Sequence, residues 1–284
     1  MKWLCTNLIA LVSLLLIWGC EKTNMRQDEF LHPVRVYDMA IEGGINTAYS
    51  GQYIRLTKPS LHADSLPTPI RKASVVVNDG RRDIVFREIN NTPGVYFGVT
   101  TGDPNYNKAY MLTIKYNDKT YTAVDTLRLA VNIADDFLPL STRPAGNDSV
   151  LFTVPKHTFG YLNPNKWLIS YTMKGDTVPA WRPDKFGQAK FFSYTHILGS
   201  PNSLYPLNNL KRSFKVGKGT SIMIHKLSLS ENYAKYLYSV FMETDWSGLF
   251  SGVPVNVEGN VSGNVLGYFS VSDVDNRSYL AREL

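Results

Sequence analysis

The chain of 284 residues is 44% hydrophobic and 19% charged, with 30 basic against 24 acidic side chains, 20 glycines, 15 prolines and two cysteines. That balance is too apolar for a disordered chain, too aperiodic for a collagen or coiled coil, and too poor in cysteine for a disulfide-stapled module. A folded globular body stabilised by packing is what remains.

Lys2 opens a segment in which residues 8–18 are apolar apart from Ser13, followed by Gly19 and Cys20. Such a run falls short of the ~20 residues a membrane helix needs and fits the roughly 7–15 of a cleavable export signal. The small Gly19 directly before Cys20 resembles the lipobox of bacterial lipoproteins, with Ile17 where that pattern prefers leucine. The resemblance implies cleavage between Gly19 and Cys20 and a diacylglycerol group on the Cys20 sulfur. Residues 1–19 therefore read as a lipoprotein signal peptide. Its loss removes Lys2 and Cys5, so Cys20 becomes the sole cysteine and the fold can hold no internal disulfide and no cysteine metal site. Residues 20–33, polar and without apolar periodicity, read as a flexible tether.

Residues 34–128 carry the signals of short antiparallel strands. A β-branched run at 73–77 closes in Asn78, Asp79 and Gly80, a sequence suited to a hairpin because these residues tolerate positive φ. Further strands are expected at 84–87, 95–99 and 120–124. In Tyr110, Leu112, Ile114 and Tyr116 the apolar residues alternate with Met111, Thr113 and Lys115, a period of two that turns one face to a core. This spacing predicts an immunoglobulin-like or transthyretin-like sandwich.

Pro139, Pro144 and Gly146 break the pattern and place a junction after residue 128. Residues 129–284 read as a β-rich C-terminal domain, with strands expected near 149–154, 167–173, 190–195 and 220–227. Ser228-Leu229-Ser230-Glu231 has the Ser-x-x-Glu form of a capping box with Ser228 as the cap, and Tyr233, Leu237, Val240 and Phe241 follow at helical spacing. One amphipathic helix over 229–245 is predicted, its aromatic stripe facing the core. The fold class is thus mainly β, with one helix.

Reaction motifs are missing from the chain. Neither Gly-x-Ser-x-Gly nor His-Glu-x-x-His occurs, and the five histidines are scattered without ligand spacing. Asp273-Val274-Asp275-Asn276 has a superficial likeness to a calcium loop, but Ser278 and Leu284 stand where its glycine and glutamate belong. The expectation is a protein that is not an enzyme, has no cofactor or metal, and does not bind nucleic acid. Lys211, Arg212, Lys215 and Lys218 form the densest basic stretch, a solvated hairpin or a patch for phosphates. Among Trp167, Trp181 and Trp246, Trp181 lies between Pro179 and Pro183 in an expected loop and is the candidate for ligand or partner contact.

Ser228 to Glu231 with Tyr233, Gly248, Pro254, Gly259-Asn260-Val261 and the closing Val265-Leu266-Gly267-Tyr268-Phe269-Ser270 resemble a family of outer-membrane lipoproteins of unknown function, found in bacteria that build starch-utilisation-type, TonB-dependent transporters. Residues 73–80, Gly94-Val95-Tyr96 and 110–123 fit the same family. The resemblance implies an outer-membrane lipoprotein often encoded beside such a transporter, and the expectation is a lipid-anchored, cell-surface-facing protein that is an accessory or binding module of it. The alternative is an independent surface lipoprotein that binds glycan or peptide. Asp-Ser/Thr-hydrophobic tripeptides at Asp64, Asp125, Asp148 and Asp176 are sites such bacteria can O-glycosylate.

Overall fold

Period-two alternation builds the first half of the computed structural model, which describes residues 37–59, 66–159, 163–171, 191–197, 211–245 and 257–284. In β1 (Met39–Asn46), Met39, Ile41 and Ile45 are buried while their neighbours are not, and β2 (Gly51–Lys58) alternates through buried Gln52, Ile54 and Leu56 before Thr57, which is also buried. The short β3 (Thr68–Pro69) pairs with the end of β2. β4 (Ser74–Asn78), β5 (Asp83–Glu88), β6 (Val95–Val99), β7 (Ala109–Tyr116) and β8 (Lys119–Thr126) follow close to their predicted positions. All the pairings among these eight strands are antiparallel.

The hairpin turns use the residues that tolerate positive φ. Asn117 and Asp118, with φ of 46° and 57°, form the two-residue link between β7 and β8. Gly80, with φ 87°, lies in the longer β4–β5 loop. The sheet curls at the short β5–β6 pairing, so that Val75, Val77, Leu112 and Ile114 on one side meet Met39, Ile41, Ile54 and Leu56 on the other. This is sandwich packing, as the sequence predicts.

Two further sheets form the second half. β9 (Ser141–Pro144), β10 (Ser149–Pro155) and β14 (Lys211–Gly217) make one. The other runs β11 (His157–Phe159), β13 (Phe191–Ile197), β12 (Asn165–Tyr171), β15 (Ser221–Ser228), β18 (Val274–Leu280). Phe152 and Val154 from the first meet Trp167, Ile169, Ile222 and Ile224 from the second in one cluster.

A sequence division at residue 128 misses the closing feature. β16 (Val265–Gly267) and β17 (Ser270–Ser272), far along the second half, pair in parallel with β1, Met39 opposite Val265 and Gly44 opposite Ser270. Val261 bridges to Ala123 on β8, and Asn260 donates from Nδ2 to the carbonyls of Val124 at 3.0 Å and Phe269 at 2.8 Å. Residues 257–273 thus lie against both β1 and β8 before β18 continues into the second half. Residues 37–284 accordingly form one compact unit. Parallel pairing across such a sequence separation leaves no local pattern in the chain.

Helix α1 spans Glu231–Thr244. Its cap is Ser230, whose Oγ accepts from the Tyr233 N–H at 3.1 Å, so the predicted cap at Ser228 is displaced by two residues. Ser228 Oγ instead donates to the Arg128 carbonyl at 2.6 Å and accepts from the Asp273 N–H at 2.9 Å. Glu231, freed from the box, pairs with Lys235 at 2.7 Å one turn on. Phe241 packs with Phe159, Leu237 and Tyr238, as a stripe facing the core should, while Tyr233 stacks on Tyr268 at 4.8 Å.

Candidate functional site

Gly19, Cys20 and Trp181 lie outside the described residues, as do Trp246, Gly248 and Pro254. Trp167 is a core residue, 5% exposed, with Lys226 Nζ 5.0 Å from its ring centre. The two glycosylation tripeptides that are fully described begin at Asp125 and Asp148, at the end of β8 and the start of β10.

The basic stretch does not form one patch. On β14, Lys211 and Lys215 are exposed, but alternation turns Arg212 toward the other face, where it lies over the Phe192 ring at 5.6 Å and donates to the Ser193 carbonyl. Lys218 donates to the Asn147 carbonyl at 2.6 Å in the turn that follows. Asp273 and Asp275 are structural. Asp273 accepts from Thr47 Oγ1 at 2.6 Å, Tyr106 Oη at 3.1 Å and the Ala130 N–H at 2.8 Å, and Asp275 accepts from the Ile133 N–H at 2.7 Å. These carboxylates clip residues 130–133 onto the start of β18. Among the described residues no group of three or more His, Cys, Asp or Glu side chains could hold a metal ion.

A cleft of about 300 Å³ lined by polar side chains opens at the end of the first sheet where β1 finishes. Three loops build it: the β1–β2 turn with Thr47 and Tyr49, the β4–β5 loop with Asp79, and the β6–β7 loop with Thr100, Thr101 and Asp103. Buried Gln52 holds the first turn, its Nε2 donating to the carbonyls of Asn46 at 2.8 Å and Tyr49 at 2.6 Å while Oε1 accepts the Asn46 N–H at 3.0 Å. Asn105 ties the other two loops, donating from Nδ2 to the Asp79 carbonyl at 2.9 Å, and its own N–H is taken by Tyr110 Oη at 3.0 Å.

Asp79 carries most of the local electrostatics. Burial pushes its carboxyl up, but the N–H groups of Arg82 and Arg81 and the Arg82 guanidinium at 3.2 Å outweigh this and hold it below the usual range. Arg82 also reaches Thr101 Oγ1 at 2.9 Å, fixing the cleft wall. Burial raises the pKa of Tyr49 and of Tyr110, so both rings stay neutral hydroxyl donors. The rim thus offers hydroxyls, a carboxylate at exposed Asp103 and the half-exposed ring of Tyr49. Such a lining can hydrogen-bond a neutral polyol or a peptide backbone and stack on its apolar face. Sequence reading passed over this cleft because its residues are spread over three loops.

Two other concavities differ in character. A cleft of about 230 Å³ lies between residues 128–131, 163–165 and 226–229. Burial lowers the pKa of its Lys226, which Asp275 partly offsets. A shallow basic depression of about 590 Å³ lies at the other end of the first sheet, lined by Arg71, Lys72, Lys115 and Lys119. There Lys119 pairs with Asp38 at 3.1 Å, beside the first described residues of the chain.

A family described as a domain of unknown function, DUF4249, matches residues 37–278. No curated protein matches the sequence. Among solved structures, the FN1–FN3 domains of chicken CNTN1 are 14% identical over 67% of this chain and 60% of that one, with a TM-score of 0.23. A DUF4785 family protein from Legionella pneumophila is 10% identical over 68% and 53% of the two chains, with a TM-score of 0.20. The chain therefore spans less than two thirds of either structure.

Proposed function

The chain belongs to the DUF4249 family, and from that premise we propose that it is a lipid-anchored outer-membrane protein whose folded body acts as an accessory or binding module for a TonB-dependent transporter. The observation that carries this reading is the polarity of the first sheet. The chain reaches β1 at Asp38, beside Lys119 at the start of β8, and β1 then runs eight residues to the polar cleft at Asn46. At ~3.3 Å per residue the two ends are about 26 Å apart. A lipid on Cys20 would keep the body near a membrane, and the two ends of the sheet would offer that membrane different surfaces. The apolar run ending in Gly19-Cys20 supplies the sequence support for that lipid.

Intact-mass analysis of protein extracted from its native membrane is expected to find Cys20 as the N-terminus, carrying diacylglycerol. A retained leader or an unmodified Cys20 would overturn the proposal. Crosslinking in gently solubilised membranes separates the two roles: a stable β-barrel companion supports the accessory role. A lone protein that still retains glycan or peptide supports an independent binder, the reading favoured by the hydroxyl and aromatic lining of the cleft.

A further inference from the structure

The near end of the first sheet is cationic. Arg71, Lys72, Lys115 and Lys119 line its depression, with Asp118 as the one carboxylate among the lining residues. The register adds Arg87: Ser74 lies opposite Lys115, and Val75 lies opposite Phe86, so Arg87 flanks Ser74 on the outer face. Lys58, opposite Thr68 at the end of β2, is exposed on the same side. Two of these cations are partly neutralised, Lys119 by Asp38 at 3.1 Å and Arg71 by Glu88 at 3.5 Å. Lys58, Lys72, Arg87 and Lys115 have no ion pair within 4.0 Å among the described residues. The cleft end is balanced by contrast, with Asp79, Asp83 and Asp103 beside Arg81, Arg82 and Lys108.

Sixteen residues lie between Cys20 and Tyr37. Fully extended they would reach up to about 60 Å, more than twice the length of β1. A covalent lipid would therefore keep the body near the surface without deciding which side faces it. We propose that the cationic end of the first sheet docks on a membrane surface bearing anionic phosphate headgroups, and so orients the body with its polar cleft outward. This rests on the anchored reading above. The occupant follows from where the chain arrives: the tether enters the body beside Asp38 and Lys119, and a lipid on Cys20 would keep a membrane within reach of that end. Lysine and arginine side chains near such a surface are attracted within a Debye length of about 8–10 Å, which suits exposed side chains on a shallow depression better than a deep site.

The experiment uses the natively extracted, full mature protein in lipid nanodiscs. A fluorophore is attached through Thr120→Cys at the cationic end or Asp103→Cys at the cleft rim, and quenching by a headgroup-bound quencher is compared. In discs containing phosphatidylglycerol the Thr120 label is expected to be quenched severalfold more than the Asp103 label, and the contrast should vanish in phosphatidylcholine discs or at high salt. The triple variant Lys72→Glu, Lys115→Glu, Lys119→Glu should lose the contrast while keeping the parent melting temperature. Equal quenching of the two labels in anionic discs, or a contrast that survives the triple variant, overturns the proposal. Loss of the contrast on adding inorganic phosphate at constant ionic strength would mark a small-anion site instead, and equally overturns it. Mass analysis of Cys20 in the same sample keeps the outcomes apart. Lipid present with no contrast removes the docking surface alone, whereas lipid absent removes the anchored reading.

Discussion

Gly267 and Gly44 set the limits of the seam that closes the first sheet. A Cβ on Gly267, whose φ is +93°, would stand 2.1 Å from the Ile41 carbonyl oxygen, and one on Gly44 would stand 1.9 Å from that of Ser270. Both obstacles are backbone, so neither can swing away. Gly267→Ala and Gly44→Ala are each expected to cost more than about 3 kcal/mol in denaturant unfolding, because the backbone they would meet is buried in the seam; a loss under 1 kcal/mol would mean that the parallel pairing is dispensable. Asp79 offers a second residue-scale test. Its pKa is depressed on folding, so its contribution is fully present above the unfolded value of about 3.9 and is lost as pH falls through the lower folded value. Asp79→Asn should therefore lower stability at neutral pH by about 1–2 kcal/mol and flatten the acid limb of the stability profile.

Among the elements, the helix separates two serines that look alike in sequence. Ser230→Ala removes the cap and should cost about 1 kcal/mol, with fraying at Tyr233 visible as lost amide protection. Ser228→Ala leaves the Arg128 carbonyl and the Asp273 N–H without their shared partner, costing about 1–3 kcal/mol with the helix end unchanged. If Ser228→Ala frays the helix instead, the predicted capping box is restored. At the other helix end Asp245 opposes the macrodipole, and the Lys156 ammonium compensates, with His157 Nε2 lying 3.2 Å from the same carboxylate. The sheet beside this helix also carries a pH response. Burial lowers the pKa of His157, His196 and His225; Asp245 opposes the shift at His157, and Lys226 reinforces it at His196. Folding then favours the neutral rings, so stability is intact above about pH 6.5 and falls as pH drops from there toward the folded values. Melting temperature measured between pH 7 and 5 should decline, and His157→Gln with His196→Gln should reduce the slope, by at most about 1.4 kcal/mol per pH unit for each ring.

For the whole molecule the decisive feature is that residues 257–273 complete the first sheet while β18 completes the second half. A chain divided at residue 128 would be expected to melt in two steps, each half by itself. The observed connection predicts one cooperative transition, because losing the seam exposes Ile41, Ile45 and Phe269, which are among its buried core residues. Truncation after residue 256 should then expose β1 amides to hydrogen exchange as well as unfolding the second half. Retention of native β1 protection in the truncated chain would argue for independent halves.

Local chemistry made much of this legible in the sequence. A β-branched run located β4, period-two alternation located β7, turn residues bounded the other strands expected near β5, β6, β8, β10, β12, β13 and β15, and the Asn117-Asp118 turn was readable because two adjacent residues sufficed to form it. A serine cap was legible only to within two residues, since Ser228 and Ser230 both stand before the same apolar run. The pairing of β16 and β17 with β1, the clipping of residues 130–133 by Asp273 and Asp275, and the gathering of Asn46, Asp79 and Asp103 into one cleft were decided by tertiary structure. Each depends on which distant backbone a segment meets. Contacts between residues more than two hundred positions apart, such as Thr47 and Asp273, leave no periodicity along the chain to be read.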